Sequence, residues 1–124
     1  MLRRNLVALV LAVLFISSCR KDAVAPHYTF NVPSGCDVSA VKYSPDIRLI
    51  ISQNCAYNGC HFPGESNYDF TQYAVIADRI RSGRFTERIY LPVSHPLHMP
   101  TGTVMDSCQF AQLMTWINNG FPEN

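Results

Sequence analysis

Charge is scarce in this 124-residue chain and nearly balanced: 15% of residues are charged, 10 basic against 9 acidic. With no basic surplus there is no electrostatic field to gather phosphate backbones, so nucleic-acid binding is not expected. Removing Arg3 and Arg4 with a cleaved leader does not change that. The longest apolar run, Asn5 to Ile16, is about a dozen residues, and a spanning helix needs roughly 20. Catalytic signatures are missing too. There is no Ser/His/Asp set, no glycine-rich phosphate loop and no pair of carboxylates on one helix face, so an enzyme is not expected. No internal repeat is present.

The amino end sets the compartment. Arg3 and Arg4 make a positive start, the apolar run follows, and Ile16-Ser17-Ser18-Cys19 closes the segment. This is the layout of a secretory signal peptide. Ile-Ser-Ser-Cys also resembles the bacterial lipobox, whose cysteine becomes the lipid-modified first residue. The expectation is a leader over residues 1–18, lipid on Cys19, and an exported lipoprotein anchored to a membrane, on the periplasmic side or at the outer membrane. Residues 19–43 carry Pro26, Pro33 and Gly35 without helical period, and read as a tether and an extended segment that wraps the domain. His27 lies in it as a solvated loop residue. Residues 44–124 are left as one small domain, whose core is marginal unless a staple or a cofactor adds to it.

The cysteines supply one staple. Of the five, Cys19 goes to lipid, and Cys55 with Cys60 belong to a local motif. Cys36 and Cys108 then have only each other in an oxidising compartment, so a disulfide between them is expected. Its long loop would contribute about 4 kcal/mol on the chain-entropy model.

Hydrophobic period predicts about three helices, an all-α domain. The first begins with Ser44 as N-cap, Pro45 at the first helical position and Asp46 in the first turn. Ile47, Ile50 and Ile51 form its apolar stripe, and Cys55 continues it. A second helix is expected from Thr71 to Ser82, with Tyr73, Ile76, Ala77 and Ile80 on one face and Gly83 as its stop. A third is expected from Ser107 to Asn119. Asp106 with Gln109 reads as a capping box, Phe110, Leu113, Met114 and Ile117 as the buried stripe, and Asn119-Gly120 as the C-terminal cap with Phe121 folding back. Between the last two helices runs a proline-rich segment that holds His95, His98 and Met99. Three helices and long loops bury little apolar surface, which a large flat apolar cofactor would remedy.

The chemistry concentrates in Asn54-Cys55-Ala56-Tyr57-Asn58-Gly59-Cys60-His61. Three structures could use it: a covalently attached haem, a zinc ion, or a plain disulfide. Zinc could draw on Cys55, Cys60, His61, His95 and His98, but His95 and His98 are separated by two residues where zinc sites favour three to five. A Cys55–Cys60 disulfide is geometrically easy and would make the chain a structural or partner-binding lipoprotein.

The order of helix, Cys…Cys-His, helix, Met-Pro loop and C-terminal Trp-Ile-x-x-Gly resembles the single-domain c-type cytochrome lipoproteins of bacteria. The matching residues are Ile50-Ile51, Asn54-Cys55, Cys60-His61, Met99-Pro100, and Trp116-Ile117 with Gly120, over roughly residues 43–121. The resemblance implies a small cytochrome c-like fold around haem c, with Cys55 and Cys60 as thioethers, His61 as the proximal iron ligand and Met99 as the distal one. It implies single-electron transfer between redox partner proteins by a membrane-tethered monomer. Trp116, Phe110 and Ile50 are expected against the ring. One departure stands out: four residues separate the cysteines where the usual motif has two. The extra pair must loop outward, and Asn58-Gly59 suits this because both residues tolerate positive φ.

Overall fold

The computed structural model describes residues 26–65 and 67–124; the leader and the lipid site at Cys19 lie outside the described residues. Among those described, the architecture is all-α: helices α1 (Arg48–Asn54), α2 (Tyr73–Arg81), α3 (Arg84–Tyr90) and α4 (Ser107–Asn118), with no strand. None is long and apolar enough to cross a membrane.

The start of α1 differs from expectation. A wide turn over Tyr43–Ile47 precedes it, in which the Ile47 amide donates to the Lys42 carbonyl five residues back, at 3.1 Å. Ser44 is extended (φ −114°, ψ 126°), and no side chain caps the helix. Its amide serves a different end, donating to the Asn124 carbonyl at 3.0 Å while the Tyr43 amide donates to the Asn124 side chain. The carboxyl-terminal tail thus takes the place of an N-cap. Beyond the turn, the stripe of Ile47, Ile50, Ile51 and Cys55 is buried throughout, at roughly 1.5–3 kcal/mol per aliphatic side chain.

Helix α2 begins at Tyr73 rather than Thr71, because the Asp69 carboxylate accepts both the amide and the hydroxyl of Thr71 and holds it in a turn. Gly83, at φ 75°, stops α2 and at once begins α3, a helix absent from the sequence expectation. In α4 the Asp106 carboxylate accepts the amides of Cys108 and Gln109. The other half of the capping box is missing. Gln109 instead accepts from Asn54 Nδ2 (3.0 Å) and donates to Gln53 (2.8 Å), tying α4 to the end of α1. At the far end Gly120, at φ 85°, allows the Phe121 amide to reach the Trp116 carbonyl, and Phe121 packs edge-on against Trp116.

Two straps complete the frame. Residues near Tyr28 run across α4, where Asn118 bonds both the amide and the carbonyl of Tyr28, and the Tyr28 hydroxyl meets Thr86 on α3 at 2.7 Å. A disulfide joins Cys36 to Cys108 at the start of α4, closing a separation of 72 residues. The core lies where α4 meets the wide turn, with Trp116 stacked on Tyr43 at 5.7 Å.

Candidate functional site

The end of α1 delivers Cys55 to a cavity of about 370 Å³, within the range of small-molecule sites. Cys55, Cys60 and His61 line it from one segment; Met99 lines it from another. Apolar side chains complete the walls: Phe70, Phe85, Ile89 and Met105, with Leu97 at the edge. Trp116, Phe110 and Ile50, expected there, do not line it. Trp116 is held in the core between Tyr43 and Phe121, and Phe110 packs on Phe30 and Tyr90.

The wide cysteine spacing is absorbed by a folded loop. The His61 amide donates to the Cys55 carbonyl at 3.0 Å, so the loop's two ends meet; Ala56 stays buried while Tyr57, Asn58 and Gly59 turn outward. Gly59 takes the positive φ (84°) and its amide is held by Glu65 at 2.9 Å; Asn58 stays on the ordinary side. Cys55 and Cys60 are both free thiols. Burial, reinforced by Cys60 nearby, pushes the Cys55 thiol up to about 12, so it is neutral at physiological pH.

His61 is presented as a ligand would be. Its Nδ1 lies 3.0 Å from the Tyr68 carbonyl. A carbonyl can only accept, so Nδ1 carries the proton and Nε2 keeps its lone pair. The ring stacks on Phe70 at 4.1 Å and 14°. Burial lowers its pKa against the opposing pull of the Tyr68 carbonyl, which favours the neutral imidazole that metals bind.

The opposing loop resolves three neighbours. His98 is 5% exposed, and both its ring nitrogens face carbonyls, Leu91 at 2.7 Å and Thr103 at 2.8 Å. It clamps the loop and is not on the cavity wall. His95 is exposed, away from the cavity, and accepts the Leu97 amide. Met99 remains, its amide anchored on the Arg88 carbonyl at 3.1 Å and its sulfur 3.5 Å from the Thr101 hydroxyl. The zinc set is therefore not assembled: among the described residues no three His, Cys, Asp or Glu side chains converge as a metal site.

The sequence reading overlooked the cavity's aromatic wall and the basic residues Arg79, Arg84 and Arg88 that also line it. Arg84-Phe85 and Arg88-Ile89 repeat at four-residue spacing, a pattern that could have revealed a short helix with one mixed face. Comparison with protein-family models, curated proteins and solved structures returns no match to this chain.

Proposed function

We propose that this chain is a monohaem c-type cytochrome that passes single electrons. The observation that carries the reading is the shared cavity. Two thiols and an imidazole with a free Nε2 come from one segment, a thioether comes from a loop distant in sequence, and between them stand apolar walls. That donor set fits haem: Cys55 and Cys60 would hold it through its vinyl groups, and His61 and Met99 would serve as ligands to its iron. When bound, haem supplies a one-electron couple. The protein's own work is to keep that couple dry and fixed. Tyr68 and Phe70 orient His61, Arg88 anchors Met99, and His98 stiffens the loop from behind. A thioether ligand favours ferrous iron and raises the potential relative to two imidazoles.

In the same reading Cys19 bears lipid and tethers the domain to a membrane, where it meets redox partner proteins as a monomer. Cys19→Ser should then release soluble protein; a variant that stays with the membrane argues against the tether.

The decisive experiment is expression with haem-attachment machinery, followed by an absorption spectrum. A sharp Soret band that stays with the polypeptide in acid acetone is the expected result. Pigment that is absent, or that washes away, overturns covalent attachment and leaves a haem-free Cys55–Cys60 disulfide as the explanation of the motif. Met99→Ala should abolish the weak far-red sulfur-to-iron band of the oxidised protein. A wild type without that band would remove Met99 from the coordination sphere.

A further inference from the structure

Helix α3 sends two kinds of side chain into the cavity. Phe85 and Ile89 are apolar wall; Arg84 and Arg88 are cations one turn apart beside them. Arg84 is exposed and Arg88 half-buried, and Glu87, the acidic residue of the same turn, forms a salt bridge with neither. Like charges at this spacing repel along a helix, and Arg84 stands in the first turn, where the helix dipole disfavours positive charge. No counter-ion is at hand, since the one ion pair among the described residues is Arg79 with its neighbour Asp78 at 2.6 Å. Arg79 is further occupied by the Tyr68 ring, 4.1 Å beneath its guanidinium. Two guanidiniums without an ion-pair partner among the described residues therefore border the cavity beside its apolar wall.

We infer that Arg84 and Arg88 are the carboxylate-binding edge of the cavity, and that its ligand is a flat apolar body bearing two carboxylates. This rests on the haem reading and deepens it, because the two propionates of haem are such carboxylates. In haem they lie on the half of the macrocycle away from the vinyl groups. A ligand bonded at Cys55 and Cys60 therefore turns its acids away from that loop, toward another wall. Guanidinium suits them, because its paired donors match a carboxylate in two parallel hydrogen bonds. The arrangement also gives Arg88 two functions: its carbonyl holds Met99 by the backbone, and its side chain holds the ligand's edge.

The test uses the haem-loaded chain and resonance Raman bands of propionate bending, which report hydrogen bonding at the carboxylates. Arg84→Gln and Arg88→Gln should each shift those bands to lower frequency. Arg81→Gln serves as control, because Arg81 is exposed on α2, outside the cavity, beside Phe121; it should leave the bands in place. If a glutamine variant matures without pigment, the lysine counterpart is measured, which keeps the charge but loses the paired donors and should still shift the bands. A wild type with attached haem whose bands do not move at Arg84 or Arg88, or move equally at Arg81, overturns this inference and leaves the haem reading intact. A wild type without haem overturns both.

Discussion

Cys36 and Cys108 lie 72 residues apart and are bonded, whereas Cys55 and Cys60 share one short loop and remain free thiols. Distance along the chain has little to do with it. Cys36 follows a tight turn closed by the Pro33 carbonyl, and Cys108 sits in the first turn of α4, its amide capped by Asp106. Both therefore sit on fixed backbone in the frame. The other pair is arranged around a cavity, one thiol at the end of α1 and the other beside an imidazole. One pair holds the chain together; the other lines the cavity as free thiols.

Breaking each pair separately should expose that division. With Cys55→Ser and Cys60→Ser together, all pigment should leave the denatured polypeptide. With Cys36→Ser and Cys108→Ser together, pigment should stay covalently attached while stability falls by about 2–5 kcal/mol, the usual cost of removing a native bridge from a small disulfide-bonded domain. Denaturant titration beside acid-acetone extraction reads both. If removing the long-range bridge also released the pigment, the two pairs would not be independent.

A smaller difference should appear within the cavity pair of the haem-free protein. Cys55 is 8% exposed and its thiol is pushed up to about 12, while Cys60 is half-buried. The thiolate is the form that reacts, and a high-pKa thiolate is the better nucleophile, so at neutral pH native Cys55 should be alkylated about two orders of magnitude more slowly than an ordinary thiol. Peptide mapping after timed alkylation should find Cys60 labelled first. Equal rates would mean that the loop opens faster than the reagent reacts.

What could be read in advance follows the same line between frame and cavity. Helices α1, α2 and α4 announce themselves through a 3.6-residue period, because each lays a continuous stripe against the core: Ile47, Ile50 and Ile51 in one, Leu113, Met114 and Ile117 in another. Helix α3 has seven residues, of which only Phe85 and Thr86 are fully buried, so no stripe accumulates. Ser44 is a good capping residue by type, yet the tail at Asn124 takes over its role, a tertiary contact with no local signal. In the cavity, Cys55, Cys60, His61 and Met99 are legible as residue types. The wall is not: Phe70, Phe85 and Leu97 come from three separate segments, and only the fold brings them together. The fold also separates two neighbours that the sequence leaves alike: Met99 lines the cavity, whereas both ring nitrogens of His98 lie on backbone carbonyls.

The smallest effect concerns the loop that separates the cavity cysteines. Its four intervening residues close because Gly59 adopts φ 84°, letting its amide reach Glu65 while the His61 amide returns to Cys55. A Cβ at Gly59 would meet nothing within 4 Å, so a substitution there carries backbone strain and no clash. Gly59→Ala should cost roughly 1–2 kcal/mol, the penalty for an L-residue in the left-handed region. Gly59→Asn should cost less, because its side chain tolerates that conformation. Neither changes a thiol or an imidazole, so haem should still attach. Thermal denaturation of the haem-loaded variants in the order wild type, Asn, Ala would fit a loop that is strained locally but closed by its own hydrogen bonds. A loss of attachment in Gly59→Asn would instead mean that the wide spacing depends on the backbone at this residue, and that the free pair is held less securely than the bridged one.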